Sequence, residues 1–146
     1  MKLLKNEEQC PHCGRFGNRG MSVDAIIIKD KKILLIKRGS ELYKGYWGTP
    51  GGYVGWDETI EDALKREVKE ETGLTVTTMK FMFCNSDPSR HPKQVVNFVY
   101  YVSEYEGNVA PSDDALECEW FQIDSLPERL AFDHKENIKE SLKLIW

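Results

Sequence analysis

The chain has 146 residues and a mass of 16.9 kDa, enough for one hydrophobic core and too short to expect two. Apolar residues make up 40% of it and charged residues 30%, a balance that speaks against disorder, and no apolar run approaches the roughly 20 residues that cross a bilayer. The net charge of -4 lacks the basic excess on which binding of polymeric nucleic acid draws, so the expected partner is a small ligand, with no polymeric nucleic acid and no membrane. Glu7 and Glu8 stand where a signal peptide would have its apolar core, which makes a cytoplasmic location the expectation.

Residues 1–20 read as a polar lead segment around Cys10-Pro11-His12-Cys13-Gly14, and residues 21–146 as one domain. The C-x2-C spacing of Cys10 and Cys13 suits a structural Zn²⁺, but no second such pair supplies the other two ligands, and a merely reduced pair is the competing reading. Cys84 and Cys118 read as buried small hydrophobes. Val23 to Ile28 and Ile33 to Lys37 read as two strands of a hairpin turning at Asp30-Lys31-Lys32. Residues 39–55 hold Pro50, many glycines and the aromatics Tyr43, Tyr46 and Trp47, the composition of a shaped loop system. Ile60 to Thr72 reads as a helix, with Thr59 and Asp62 as a capping box and Gly73 as its stop. Strands are expected at Thr75 to Phe83, Gln94 to Val102 and Glu117 to Phe121. A final helix is expected from Asp133 to Leu144, with a short turn or helix at Leu126-Pro127-Glu128 before it. The fold class expected is α/β.

The helix carries the chemical signal. On a wheel of about 100° per residue with Glu67 at the origin, Ile60 falls at about 20°, Glu71 at about 40°, Leu64 at about 60° and Glu70 at about 300°. Glu67 and Glu71 thus share the face that the apolar residues need to bury, while Lys65, Lys69 and Arg66 turn away. Carboxylates on such a face are costly unless something compensates their charge. From the helix alone two readings stand, a hard-oxygen site for Mg²⁺ or Mn²⁺ and a solvated acidic edge. Pro50-Gly51-Gly52 lies just before it and permits a close backbone approach.

At this point the sequence resembles the Nudix hydrolase family. Its box, G-x5-E-x7-R-E-U-x-E-E-x-G-U with U a bulky apolar residue, is matched by Gly52, Glu58 and Arg66-Glu67-Val68-Lys69-Glu70-Glu71-Thr72-Gly73-Leu74. The resemblance implies an α/β/α sandwich around a mixed sheet and hydrolysis of a nucleoside diphosphate linked to another moiety. It implies that Glu67, Glu70 and Glu71 hold the metal with help from the Gly51 carbonyl, while Glu58 and Arg66 organise loop and helix. The catalytic base it leaves open among Glu67 and the later acids Asp114 and Glu117.

Segments around Ser86 to Pro92, Ser112 to Ala115 and Leu130 to His134 look like the ADP-ribose pyrophosphatase branch, which implies cleavage to AMP and ribose 5-phosphate and a homodimer. The alternatives are an NDP-sugar, NADH or nucleoside triphosphate substrate, or a noncatalytic nucleotide-sensing module. The first segment departs from the branch at His91, where an acidic residue is usual. Arg90 is a candidate phosphate contact against the plainer reading of a surface ion pair. Tyr46 and Trp47 are candidates for base stacking, and Phe132 and His134 for substrate or interface contacts.

Overall fold

The computed structural model describes residues 8–110 and 115–146; the candidate Asp114 lies outside them. Strands β1 (Met21–Lys29) and β2 (Lys32–Arg38) form the expected hairpin, with Ile28 opposite Ile33 and Lys29 opposite Lys32. Asp30 at φ 50° and Lys31 at φ 59° make its two-residue turn, the left-handed pair whose twist matches that of the flanking strands. Beyond those two pairs the strands part. Ser22, Val23 and Asp24 pair instead with β4 (Gly51–Tyr53), while β2 pairs with β3 (Trp47–Gly48) and with β7 (Ala115–Gln122). The other edge of β1 runs parallel to β6 (Val96–Glu106), which is antiparallel to β5 (Thr75–Asn85). Among the described residues this is one mixed sheet of seven strands in the order β3-β2-β1-β6-β5, with β4 on β1 and β7 on β2.

Alternation along the strands builds two cores. Val23, Ala25, Ile27 and Leu34 pack with Ala63, Leu64 and Val68 of helix α1 (Ile60–Thr72); Ile26, Ile33 and Leu35 pack on the other face with Ile138 of helix α2 (His134–Ile145). The result is the α/β/α sandwich. Helix α1 begins and ends as its caps dictate. The Thr59 hydroxyl accepts the Asp62 N–H at 3.0 Å, the Asp62 carboxylate accepts the Thr59 N–H, and Gly73 closes the helix at φ 79°.

Local details differ from or add to the expectations. Residues 126–128 form no helix; the chain runs on to Leu130, which bridges Trp47 in parallel. The polar stretch after β5 contains a short 3-10 helix, Pro88–Arg90, capped by the Asp87 carboxylate. Cys84 is exposed, and Cys118 is only half-buried. Cys10 and Cys13 sit on a small knuckle closed by the Gln9–Phe16 bridge, with Gly14 at φ 72°. No third acidic, His or Cys side chain joins them among the described residues.

Removing the Thr59 hydroxyl orphans an N-terminal amide of α1. Thr59→Ala should lower the unfolding free energy by about 1 kcal/mol, read as a shift in the urea midpoint at unchanged slope.

Candidate active site

The site is organised by one guanidinium. Arg66 grips Glu58 with two bonds, Nε at 3.0 Å and Nη2 at 2.7 Å, and its Nη1 reaches Glu67 at 2.7 Å and Glu70 at 3.3 Å. Nη2 also donates to the Tyr53 carbonyl at 3.1 Å, tying α1 to the end of β4. Glu58 in turn accepts the Gly55 N–H at 2.5 Å. The Arg66 hydrogen bonds, then that amide, hold the Glu58 carboxyl down at about 2. Glu58 is therefore a fixed anion that anchors the loop, and Arg66 is held firmly protonated by the same contacts.

Glu71 is different. It lies one helical turn from Glu67 on the buried face, 8% exposed, and its Oε1 accepts the Gly51 N–H at 2.7 Å. Burial pushes its carboxyl up to about 8, against the pull of that amide and with help from the negative charges of Glu67 and Asp24. Glu67 is also raised, by burial first, with Arg66 opposing. Its carboxylate lies so close over Gly52 that a Cβ there would collide with it. Glycine at that position is thus a requirement of the close approach between β4 and α1.

Glu67, Glu70 and Glu71 line a cleft of about 260 Å³ together with Gly51, Gly52 and Arg38. Three hard oxygen donors, two of them carboxyls that burial raises, fit a divalent cation that would offset their charge. The carboxylates are not gathered into a finished cage. Glu67 and Glu70 are held on Arg66, and among the described residues no three such side chains converge on one point. A cation in this cleft therefore competes with Arg66 for two of its donors.

A second cleft, about 230 Å³, opens on the α2 side of β4 and shares Arg38, Ser40, Gly51, Gly52 and Tyr53 with the first. Its far wall is formed by Asp24, Thr49, His91, Phe132 and His134. Arg38 stands where the two clefts meet, held by the Leu42 carbonyl and the Ser40 hydroxyl, with its guanidinium 5.0 Å over the Phe132 ring. Arg38, Asp24 and Thr49 were not singled out in the sequence. Each belongs to a short, ordinary strand or loop, and only the parting of β1 from β2 brings them together.

Other sequence candidates land elsewhere. Tyr46 packs edge-on to Tyr43, and Trp47 packs edge-on to Phe121 in the α2-side core; neither forms a wall of either cleft. Arg90 does line the second cleft, but as a buried group rather than a surface one. Its Nε and Nη2 hold both Asp133 oxygens at 2.8 Å, and its Nη1 holds the Val95 carbonyl at 3.1 Å. Glu117 pairs with Lys37 at 3.2 Å. By strand alternation it shares the face of Phe121, opposite α1, and so does not join the carboxylates. His134 is buried, not a surface residue.

Between the Glu71 carboxyl's ordinary value of 4.5 and about 8 the native state holds a proton that the unfolded chain has lost. Without divalent cations, stability should fall as pH rises through that window. Denaturant melts in EDTA at pH 5 and pH 8 check this, and Glu71→Gln should flatten the difference.

The NUDIX domain family model matches residues 18–142. The chain is 43% identical over 124 residues to an ADP-ribose pyrophosphatase of Methanocaldococcus jannaschii, covering 84% of this chain and 73% of that one. A crystal structure of a MutT NUDIX hydrolase from Burkholderia pseudomallei superposes with TM-score 0.75 at 28% identity, over 84% of this chain and 98% of that one. A bifunctional NMN adenylyltransferase/ADP ribose pyrophosphatase from Francisella tularensis, solved with AMP and a manganese ion, gives TM-score 0.76 at 26% identity, over 88% of this chain and 42% of that one. Fold, box geometry and these matches agree: the chain belongs to the Nudix hydrolases and is an enzyme of the pyrophosphohydrolase type.

Proposed function

We propose that the chain hydrolyses ADP-ribose to AMP and ribose 5-phosphate with Mg²⁺, or Mn²⁺ in its place. The observation that carries this reading is the continuity of the two clefts. A trough with carboxylates at one end, an apolar and polar pocket at the other and Arg38 between them suits a nucleotide whose diphosphate must lie at the carboxylates while its base lies apart. The M. jannaschii relative is named for this activity, and the F. tularensis neighbour was solved with AMP and manganese.

In this reading Glu67, Glu70 and Glu71 hold the cation, with the Gly51 backbone beside them. The bound ion supplies charge neutralisation at the phosphates and acidifies a water. Arg38 orients a phosphate oxygen by a charge-assisted bond. Glu67, half-buried and with its carboxyl raised, accepts the proton of the attacking water. Arg66 and Glu58 act indirectly, by fixing the helix against the loop. The homodimer implied by the resemblance belongs to this reading, with exposed Trp56 and Trp146 as apolar surface for it.

Mass analysis of products from ADP-ribose, NDP-sugars, NADH and nucleoside triphosphates, with Mg²⁺ or with EDTA, tests the proposal. AMP and ribose 5-phosphate in equal amounts, formed preferentially and only with the cation, is the expected outcome; preference for another substrate rejects the assignment. Glu71→Gln should cut turnover on the order of 100-fold at saturating Mg²⁺ while circular dichroism stays unchanged.

A further inference from the structure

The second cleft contains a pair of polar groups that the chemistry at the carboxylates does not use. His134, at the first position of α2, has a side chain 6% exposed. Its Nδ1 accepts the Thr49 backbone N–H at 2.9 Å, with the Thr49 hydroxyl 3.1 Å away. An amide N–H can only donate, so Nδ1 is the bare nitrogen and the ring proton of the neutral imidazole sits on Nε2. The fit is tight, since a Cβ at Gly48 would come within 2.9 Å of Nδ1.

Beside it stands Asp24, its side chain 10% exposed. The Ser22 hydroxyl donates to Asn97 Oδ1 at 2.8 Å, which turns the Asn97 amide so that Nδ2 donates to Asp24 Oδ2 at 2.6 Å. His134 Nε2 lies 3.7 Å from that same Oδ2, too far for a hydrogen bond. Among the described residues neither Nε2 nor Asp24 Oδ1 has a hydrogen-bond partner. The wall of the cleft therefore presents one fixed donor next to one fixed acceptor, on side chains that are mostly buried and bonded at these two atoms to no other protein group. A flat apolar surface accompanies them, the His91 and Phe132 rings stacked at 4.8 Å and 19°, with Leu42 and Val95 nearby.

We propose that Asp24 and His134 read the edge of the substrate's nucleobase in this cleft and set a preference for adenine over hypoxanthine. The inference rests on the reading of the substrate as an adenine nucleotide and names the residues that select its base. Adenine carries an exocyclic amine with a bare ring nitrogen on each side of it, so the amine donates to the carboxylate while a ring nitrogen accepts from Nε2–H. Hypoxanthine replaces the amine by an oxygen and carries a hydrogen on the neighbouring ring nitrogen, so a base held in the same pose meets Asp24 acceptor to acceptor and Nε2–H donor to donor. A site built to hydrogen-bond one partner discriminates because the wrong one leaves its buried groups unpaired. The stacked rings supply the face on which the base lies.

Calorimetric titration of the intact chain with AMP and with IMP reads this directly and needs no turnover. The inference expects AMP to bind about 10-fold or more tightly than IMP. In Asp24→Asn the Asn97 amide still needs an acceptor, so the new carboxamide oxygen turns to it and the NH2 faces the cleft. That variant should lose most of the AMP preference or reverse it. Equal affinities in the unmodified chain, binding of neither nucleotide, or an AMP to IMP ratio unchanged in a folded Asp24→Asn protein would overturn the inference. AMP preference without cleavage of ADP-ribose would leave the base site standing and reject the proposed function; cleavage without base preference would do the reverse.

Discussion

A carboxylate buried at the back of a helix sets the terms for this fold. Glu71 occupies a position that the helical period assigns to the core, and its charge there meets one amide N–H, from Gly51, and the repulsion of Glu67 and Asp24. The Arg38 charge opposes that repulsion only in part, and burial keeps the carboxyl protonated. Its neighbours are managed instead, with Arg66 clamping Glu58, Glu67 and Glu70 and tying the helix to β4 through the Tyr53 carbonyl. Gly51 and Gly52 are needed because any side chain there would strike Asp24 or Glu67. The strained electrostatics and the close packing are thus one feature, and in the proposed reading a divalent cation would relieve the first without disturbing the second.

The topology turns that local arrangement into a trough. Strands β1 and β2 share only two paired positions before β4 takes over the edge of β1. The opening exposes the sheet end to both layers, so the α1 side carries the carboxylates and the α2 side carries Asp24 and His134, with β4 and Arg38 in between. Most of the remaining interactions hold this opening in shape. The Arg90–Asp133 pair ties the 3-10 helix to the start of α2, and Asn85 joins Asp133 from β5.

What the sequence made legible follows from what is local. The caps of α1, its bounds and the hairpin are written in spacing and in Thr59, Asp62 and Gly73, and the wheel correctly put Glu71 on the buried face. Arg66 shows both the reach and the limit of that method. The i,i+4 spacing makes its pair with Glu70 legible, but a wheel gives only the direction of Cβ, and the long side chain also swings across to Glu58 and Glu67. Glu117 was legible in principle, since its two-residue spacing from Glu119 and Phe121 puts it on the face away from α1. Arg90 looked like a surface cation because nothing nearby in sequence announces Asp133. Asp24, Thr49 and His134 meet only through three elements far apart in the chain, and no local pattern marks such a meeting.

In the proposed reading the buried Glu71 carboxyl is a cation ligand that holds a proton until the cation arrives. Calorimetric titration with Mn²⁺ in buffers of differing ionisation enthalpy tests it. With the Glu71 carboxyl at about 8, binding at pH 7 should expel about one proton per site, falling toward none at pH 9, and the release should vanish in Glu71→Gln. Binding at pH 7 that is independent of the buffer, or equally tight in Glu71→Gln, would contradict the account.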